Sequence, residues 1–276
     1  MSTKLKIAAA VAAAVLLSAC SSPKHEPMPL VNFTPSMEVT EVWSKGLSSA
    51  EGFLVPAVYD DMVFAAGGKT LTRLNARTGE TEWSVSFDSP ITGGVGSDGY
   101  VTAVGLWDGN LEVVDAEGKV SWEKKLTTEL ASPPVVSHGL VIARTMDTRV
   151  SAFEASSGEL QWTYQKSQPA LTVRLPTRML AHDNFLLVGQ PNGHIVILDI
   201  ASGKPVFEFQ VAQARGVTEV ERLVDVVGDP AFSENLVCAA ALHGAVTCVD
   251  STNGQPKWTQ TLAAVAGTAL EQDNVY

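Results

Sequence analysis

The motifs that carry most enzymatic chemistry are missing from this chain. It has no Cys-x-x-Cys pair, no His-x-x-x-His, no phosphate-binding glycine loop and no Gly-x-Ser-x-Gly elbow, so the sequence offers no grounds for a zinc centre, a nucleotide site or a serine hydrolase. Histidine is scarce. Four of the five, His138, His182, His194 and His243, fall at or near turns of successive segments, which a repeating fold would place far apart, so they do not read as one metal set. Basic residues are outnumbered 19 to 30, for a net charge of −11, and there is no polybasic patch. That excludes nucleic acid as a partner, since its binding needs a basic surface. Charged residues make up 18% of the chain against 45% hydrophobic, a balance that suits many short buried strands better than amphipathic helices. The apolar run from Ile7 to Leu17 is too short for a membrane-spanning helix.

What the chain does have is a period. An aromatic ring recurs at Trp43, Trp83, Trp122, Trp162, Phe207 and Trp258, and from Trp83 onward a glycine stands four residues before it. The segments run Leu74-Asn-Ala-Arg-Thr-Gly-Glu-Thr-Glu-Trp83, Val114-Asp-Ala-Glu-Gly-Lys-Val-Ser-Trp122, Phe153-Glu-Ala-Ser-Ser-Gly-Glu-Leu-Gln-Trp162, Leu198-Asp-Ile-Ala-Ser-Gly-Lys-Pro-Val-Phe207 and Val249-Asp-Ser-Thr-Asn-Gly-Gln-Pro-Lys-Trp258. Each reads as a strand end, a turn and a new strand. The Asn, Asp or Glu can accept hydrogen bonds from turn amides, and the glycine can take the positive φ that closes the turn. Before each turn lies a β-rich stretch with its own hairpin signal, at Gly67-Gly68, Asp108-Gly109, Asp147-Thr148, Asn192-Gly193 and His243-Gly244. Four short strands per unit of roughly 40 residues is the pattern of a β-propeller blade. Such a sheet cannot bury both faces alone, so blades must pack side by side. The ring positions are then blade-to-blade packing, and the recurrent acidic turn residues are poor candidates for an acid–base pair.

Lys4 and Lys6 precede the Ile7 to Leu17 run, and Leu17-Ser-Ala-Cys20 places small residues before a cysteine. This is a secretory signal of lipoprotein type over residues 1–19, with cleavage before Cys20 and its lipidation; the alternative is an ordinary signal peptide with an incidental cysteine. In a Gram-negative cell, Ser21 in place of Asp favours the outer membrane. Residues 20–38, with Pro23, Pro27, Pro29 and Pro35, read as an extended tether, and residues 39–276 as the propeller. At the other end, Leu270-Glu-Gln-Asp-Asn-Val-Tyr276 resembles a blade opening that stops. Five full repeats and a partial one are expected to belong to a longer natural protein of about eight blades, with Thr40 to Ser44 completing the last.

Cys238 and Cys248 fall on the two arms of one predicted hairpin. If Leu242-His243-Gly244 is a three-residue loop they face each other; a two-residue loop would put them on opposite faces. Two buried thiols are the preferred reading, with a disulfide, permitted in the periplasm, as the alternative.

The period stretches from near 40 to 45 between Trp162 and Phe207, and to 51 between Phe207 and Trp258. The extra residues lie in Ser167 to Pro176 and Gln213 to Val227. Each insertion follows the outermost strand of one blade and precedes the innermost of the next, so the two should be neighbours on one rim. Leu171, Val173 and Leu175 alternate with Thr172 and Arg174, while Arg222, Leu223 and Asp225 add one apolar and two charged groups. Arginine beside apolar anchors is a common interface composition. The competing reading makes these loops a cap, with Arg174 or Arg222 paired internally to Asp225.

The Asp-Ala-x-x-Gly-x-x-x-Trp repeat resembles the propellers named after pyrroloquinoline quinone. With the lipobox and the stretch Thr218 to Val226, the chain resembles the outer-membrane assembly lipoproteins of the BamB family over nearly all of residues 40–276. The resemblance implies an all-β, eight-bladed propeller with no catalytic residues and no cofactor or metal. It implies lipid anchoring through Cys20 at the periplasmic face of the outer membrane. Its partners would be the POTRA domains of BamA, the rest of the BAM complex and nascent outer-membrane proteins. The family's Leu-x-Leu-Arg and Asp-x-Asp partner-binding segments fall on Leu171, Val173 and Arg174 and on Asp225. Val173 is a mild departure from the second leucine, whereas Val227 replaces the second aspartate with an apolar side chain. A rival, a quinone-dependent dehydrogenase, would need adjacent cysteines, and this chain has no Cys-Cys pair. A generic polymer- or protein-binding propeller is the third reading.

Overall fold

The structure is a computed structural model that describes residues 37–48, 54–167, 169, 171–173, 175, 177–242, 244–271 and 274–276. The chain divides into two compact units, Met1–Glu41 and Val42–Tyr276. Of the first, residues 37–41 are described and carry no strand. The signal segment, Cys20 and most of the expected tether lie outside the described residues.

The second unit is all β. Five antiparallel four-stranded meanders follow one another: β1 (Ala57–Tyr59), β2 (Met62–Gly67), β3 (Thr70–Asn75) and β4 (Thr81–Ser86); β5 (Ile91–Ser97), β6 (Thr102–Leu106), β7 (Asn110–Val114) and β8 (Val120–Lys125); β9 (Val135–Ser137), β10 (Leu140–Arg144), β11 (Val150–Glu154) and β12 (Leu160–Tyr164); β13 (Leu180–His182), β14 (Phe185–Gln190), β15 (His194–Asp199) and β16 (Pro205–Gln210); β17 (Val226–Phe232), β18 (Leu236–Ala241), β19 (Ala245–Asp250) and β20 (Pro256–Thr261). A two-stranded piece, β21 (Leu270–Glu271) with β22 (Asn274–Val275), follows them. These are propeller blades, and we number them 1 to 5. Thr40 to Ser44 form no strand.

Period-two alternation explains the packing. On β10, Val141 and Ala143 turn toward blade 2 and join Ala103, Leu111 and Val113, while Leu140 and Ile142 turn the other way and meet Leu186, Val188, Val196 and Leu198 of blade 4. Blades 1 and 2 share Phe64, Leu71, Val104 and Leu106; blades 4 and 5 share Leu187, Ile195, Val226, Val237 and Ala239. The core is thus a series of layers between sheets.

The rings of β4, β8 and β12 clip one blade to the next. Trp83 Nε1 donates to the Ala116 carbonyl at 2.9 Å, Trp122 to Ala155 at 2.8 Å and Trp162 to Ile200 at 2.8 Å. Trp43 does the same to Ala76 at 2.9 Å, filling the ring position ahead of blade 1. Each indole lies over the turn glycine of the blade it reaches. A Cβ on Gly118 would sit 2.7 Å from the Trp83 ring, and one on Gly158 2.8 Å from the Trp122 ring. Both glycines also have positive φ, 82° and 70°, so two independent constraints select glycine there. The turn's polar residue accepts as expected: Asn75 Oδ1 takes the amides of Arg77 and Thr78, and Asp115 Oδ1 those of Glu117 and Lys119.

The Leu242–Gly244 connection is a three-residue loop, and Cys238 pairs directly with Cys248. Both side chains are fully buried, and they form a disulfide with Cα atoms 4.1 Å apart. This corrects the preferred reading of two thiols: directly opposed positions on adjacent strands bring the sulfurs within bonding reach.

Removing the indole N–H of Trp122 leaves the Ala155 carbonyl without its donor, while removing the ring also empties its seat on Gly158. Trp122→Phe is expected to lower unfolding free energy by about 1 kcal/mol and Trp122→Ala by about 3 kcal/mol, read from urea denaturation. No loss in Trp122→Phe would show that the hydrogen bond adds nothing to ring burial, and equal losses that the ring adds nothing to the hydrogen bond.

Candidate functional site

The two insertions occupy the connections β12 to β13 and β16 to β17, and they meet. Val173 in the first donates its backbone N–H to Asp225 Oδ2 in the second at 2.5 Å. Thr177 Oγ1 donates to the Val226 carbonyl at 2.8 Å. Asn192, in the β14–β15 hairpin, donates its amide to Asp225 Oδ1 at 3.3 Å. That hairpin turns through Asn192 and Gly193, both with positive φ of 79° and 77°, the type of turn an Asn-Gly pair favours. Each Asp225 carboxylate oxygen therefore holds one neighbouring segment by an amide.

Asp225 is 5% exposed. Burial pushes its pKa above the ordinary carboxylate value, opposed by the Val173 and Asn192 amides and by the positive charge of Arg144. Arg222 is exposed and forms no ion pair with Asp225, whose oxygens receive backbone amides. Val173 is half-buried and packs with Leu223 against Val227, Ala240, Leu242 and Ala264. Val227 itself is 1% exposed, so a carboxylate there would be buried in an apolar cluster; valine suits the place. Arg174 lies outside the described residues.

The side chains offered to solvent are different ones. Leu171 and Leu175 are exposed on the first insertion, and Val217, Val220 and Arg222 on the second. Val217 and Val220 escaped the sequence reading. A capping-box pair was the available signal: Glu221 accepts the amides of Val217 and Thr218, and Thr218 Oγ1 accepts the Glu221 amide. Those three bonds hold a tight turn, and the Thr218 and Val217 amides on the carboxylate keep the Glu221 pKa low. Among the described residues no group of three or more His, Cys, Asp and Glu side chains is arranged to hold a metal, and no helix is long and apolar enough to cross a membrane.

Stacked meanders clipped by a ring over a turn glycine, with two built-up connections on one rim, define a β-propeller of the quinoprotein-repeat type whose elaboration is in its loops. The comparisons narrow that class. Residues 67–276 match the family model described as outer membrane protein assembly factor BamB, which covers well over half the chain. The outer membrane protein assembly factor BamB of Burkholderia pseudomallei is 36% identical over 269 residues, 95% of this chain and 71% of that protein. The crystal structure of BamB from Moraxella catarrhalis superposes with a TM-score of 0.74 at 28% identity, covering 80% of this chain and 68% of that one. The chain belongs to the BamB family. The quinohaemoprotein alcohol dehydrogenase of Comamonas testosteroni, with a TM-score of 0.60, 18% identity and coverage of 79% of this chain and 44% of that one, shares the fold alone.

Asp225→Ala strips two half-buried amides of their acceptor. Hydrogen exchange at the Val173 and Asn192 amides is expected to rise roughly 10- to 100-fold, equivalent to about 1–3 kcal/mol of local opening, while the amides of β10 and β11 stay protected. Unchanged exchange at Val173 would remove the clamp role of Asp225.

Proposed function

We propose that the protein is a non-catalytic accessory of outer-membrane protein assembly. It acts by binding the POTRA domains of BamA within the BAM complex while nascent β-barrel proteins are inserted. Family membership supports the process. The meeting of two insertions on one rim supports the site, because it turns two sequence-distant loops into one continuous surface. In this reading Leu171, Arg174 and Arg222 face the partner, joined by Leu175, Val217 and Val220. Val173 and Asp225 act underneath, holding the first insertion in place.

Anchoring through an acylated Cys20 at the periplasmic face of the outer membrane would confine the surface near its partner and raise the effective concentration without new contacts. Exposed apolar groups beside arginine suit a surface with a few strong anchors and a polar surround.

The test is co-purification of BamA with the full chain. Wild type is expected to retain BamA and Leu171→Ala with Arg174→Ala to lose it, with the far-UV spectrum and melting temperature unchanged. Val58, exposed on β1, provides a control substitution. Retention of BamA by the double variant would overturn the assigned surface.

A further inference from the structure

Beneath the insertions lies a cavity of about 360 Å³ whose wall draws on blades 2 to 5. Its distinctive group is Arg144, at the end of β10. Arg144 pairs with Val150; in the same register stand Ala66 of blade 1, opposite Leu71, Gly105 of blade 2, opposite Leu111, Gly189 of blade 4, opposite Ile195, and Ala240 of blade 5, opposite Val246. Four blades put a small residue at this position, where neighbouring segments approach closely. A Cβ on Gly105 would lie 2.5 Å from the Leu130 side chain, and one on Gly189 2.6 Å from Thr177. Only blade 3 places a long cation there.

Arg144 is 6% exposed, and its Nε meets no acceptor among the described residues. Burial lowers its pKa to about 10, against the attraction of Asp225, so at neutral pH it remains a buried cation. Such a charge is costly unless matched. Among the described residues no hydrogen bond joins Arg144 to Asp225, whose oxygens receive the amides of Val173 and Asn192.

Three further residues on the same wall each have a buried polar atom without a partner among the described residues: Gln190 Nε2, Ser132 Oγ and Thr92 Oγ1. All can donate. Four donors without an acceptor among the described residues, one of them on a guanidinium whose planar fork fits two coplanar oxygens, thus belong to side chains that line one cavity, otherwise walled by Leu130, Pro133 and Met146.

We propose that this cavity binds a single carboxylate carried on a short apolar stem, with Arg144 as the charge partner and Gln190, Ser132 and Thr92 as neutral donors. Asp225 and Glu129 also line the cavity, and their negative charge restricts the ligand to one carboxylate. The same group could arrive as a free short-chain acid or as the glutamate side chain of an extended peptide. The inference is independent of BamA, because it concerns the isolated chain.

The experiment follows the Arg144 Nε–H signal of the purified full chain by NMR during titration with sodium butyrate, butyramide, disodium succinate and the capped peptide acetyl-Gly-Glu-Gly-amide. Butyrate or the peptide is expected to shift it saturably, and whichever saturates at lower concentration identifies the source. Butyramide should have no effect, and succinate should bind at least ten-fold more weakly than butyrate. In Arg144→Lys, which keeps the charge and loses the fork, affinity read by calorimetry should fall at least ten-fold. Gln190→Leu, which leaves Arg144 in place, should weaken binding several-fold and covers the case in which the Arg144 variant does not fold. No saturable shift from butyrate or peptide, or an equal response to butyramide, would overturn the proposal, as would full affinity in Gln190→Leu.

Discussion

One contact sets the pitch of this molecule: an indole donates its N–H to a turn carbonyl of the next blade while lying on that turn's glycine. It combines a large apolar burial with a directional bond. The burial alone would tolerate sliding, whereas the hydrogen bond fixes which turn residue the ring meets. Four rings make this contact, from Trp43, Trp83, Trp122 and Trp162. Phe207 keeps the stacking seat, since a Cβ on Gly254 would fall 1.9 Å from it, but it has no N–H for the Ser251 carbonyl. A cleft of about 500 Å³ opens there between blades 4 and 5, bordered by Phe207, Ser251 and Gly254.

In an antiparallel meander the clipped turns lie at one end of the strands and the inter-blade connections at the other. Clipping one rim therefore leaves the other free to vary in length without loss of blade register. The two long connections use that freedom. Their residues form two tiers: Val173, Thr177 and Asp225 are turned inward and spend their polar groups on one another's segments, while Leu171, Leu175, Val217, Val220 and Arg222 are turned outward. Of the pair Asp225 and Val227, the first receives the amides of Val173 and Asn192, and the second is packed among apolar side chains.

The blades were legible in the sequence because their signals are local and recur: a turn of a few residues, its glycine, and the ring four places on. The opposition of Cys238 and Cys248 hung on a loop length that the sequence left open between two and three residues, and their bond was not legible, since the sequence carries no distance between sulfurs. The proximity of the insertions followed from blade order. The role of Asp225 did not, because its ligands, Val173 and Asn192, are 52 and 33 residues away, and a charged residue in a connection reads as exposed. Arg144 stood at a strand end, an ordinary place for a polar residue. Aligning the second strands would have exposed it, as the one long side chain among Ala66, Gly105, Gly189 and Ala240.

The inter-blade clip is tested most directly at the six indole N–H groups themselves, by their hydrogen exchange in the native protein. Those of Trp43, Trp83, Trp122 and Trp162 should be protected, with Trp162, the most buried, the slowest. Trp107 and Trp258, exposed at 60% and 39%, should exchange as free indoles. Exchange of Trp83 or Trp122 at the rate of Trp107 would contradict a hydrogen-bonded clip between blades.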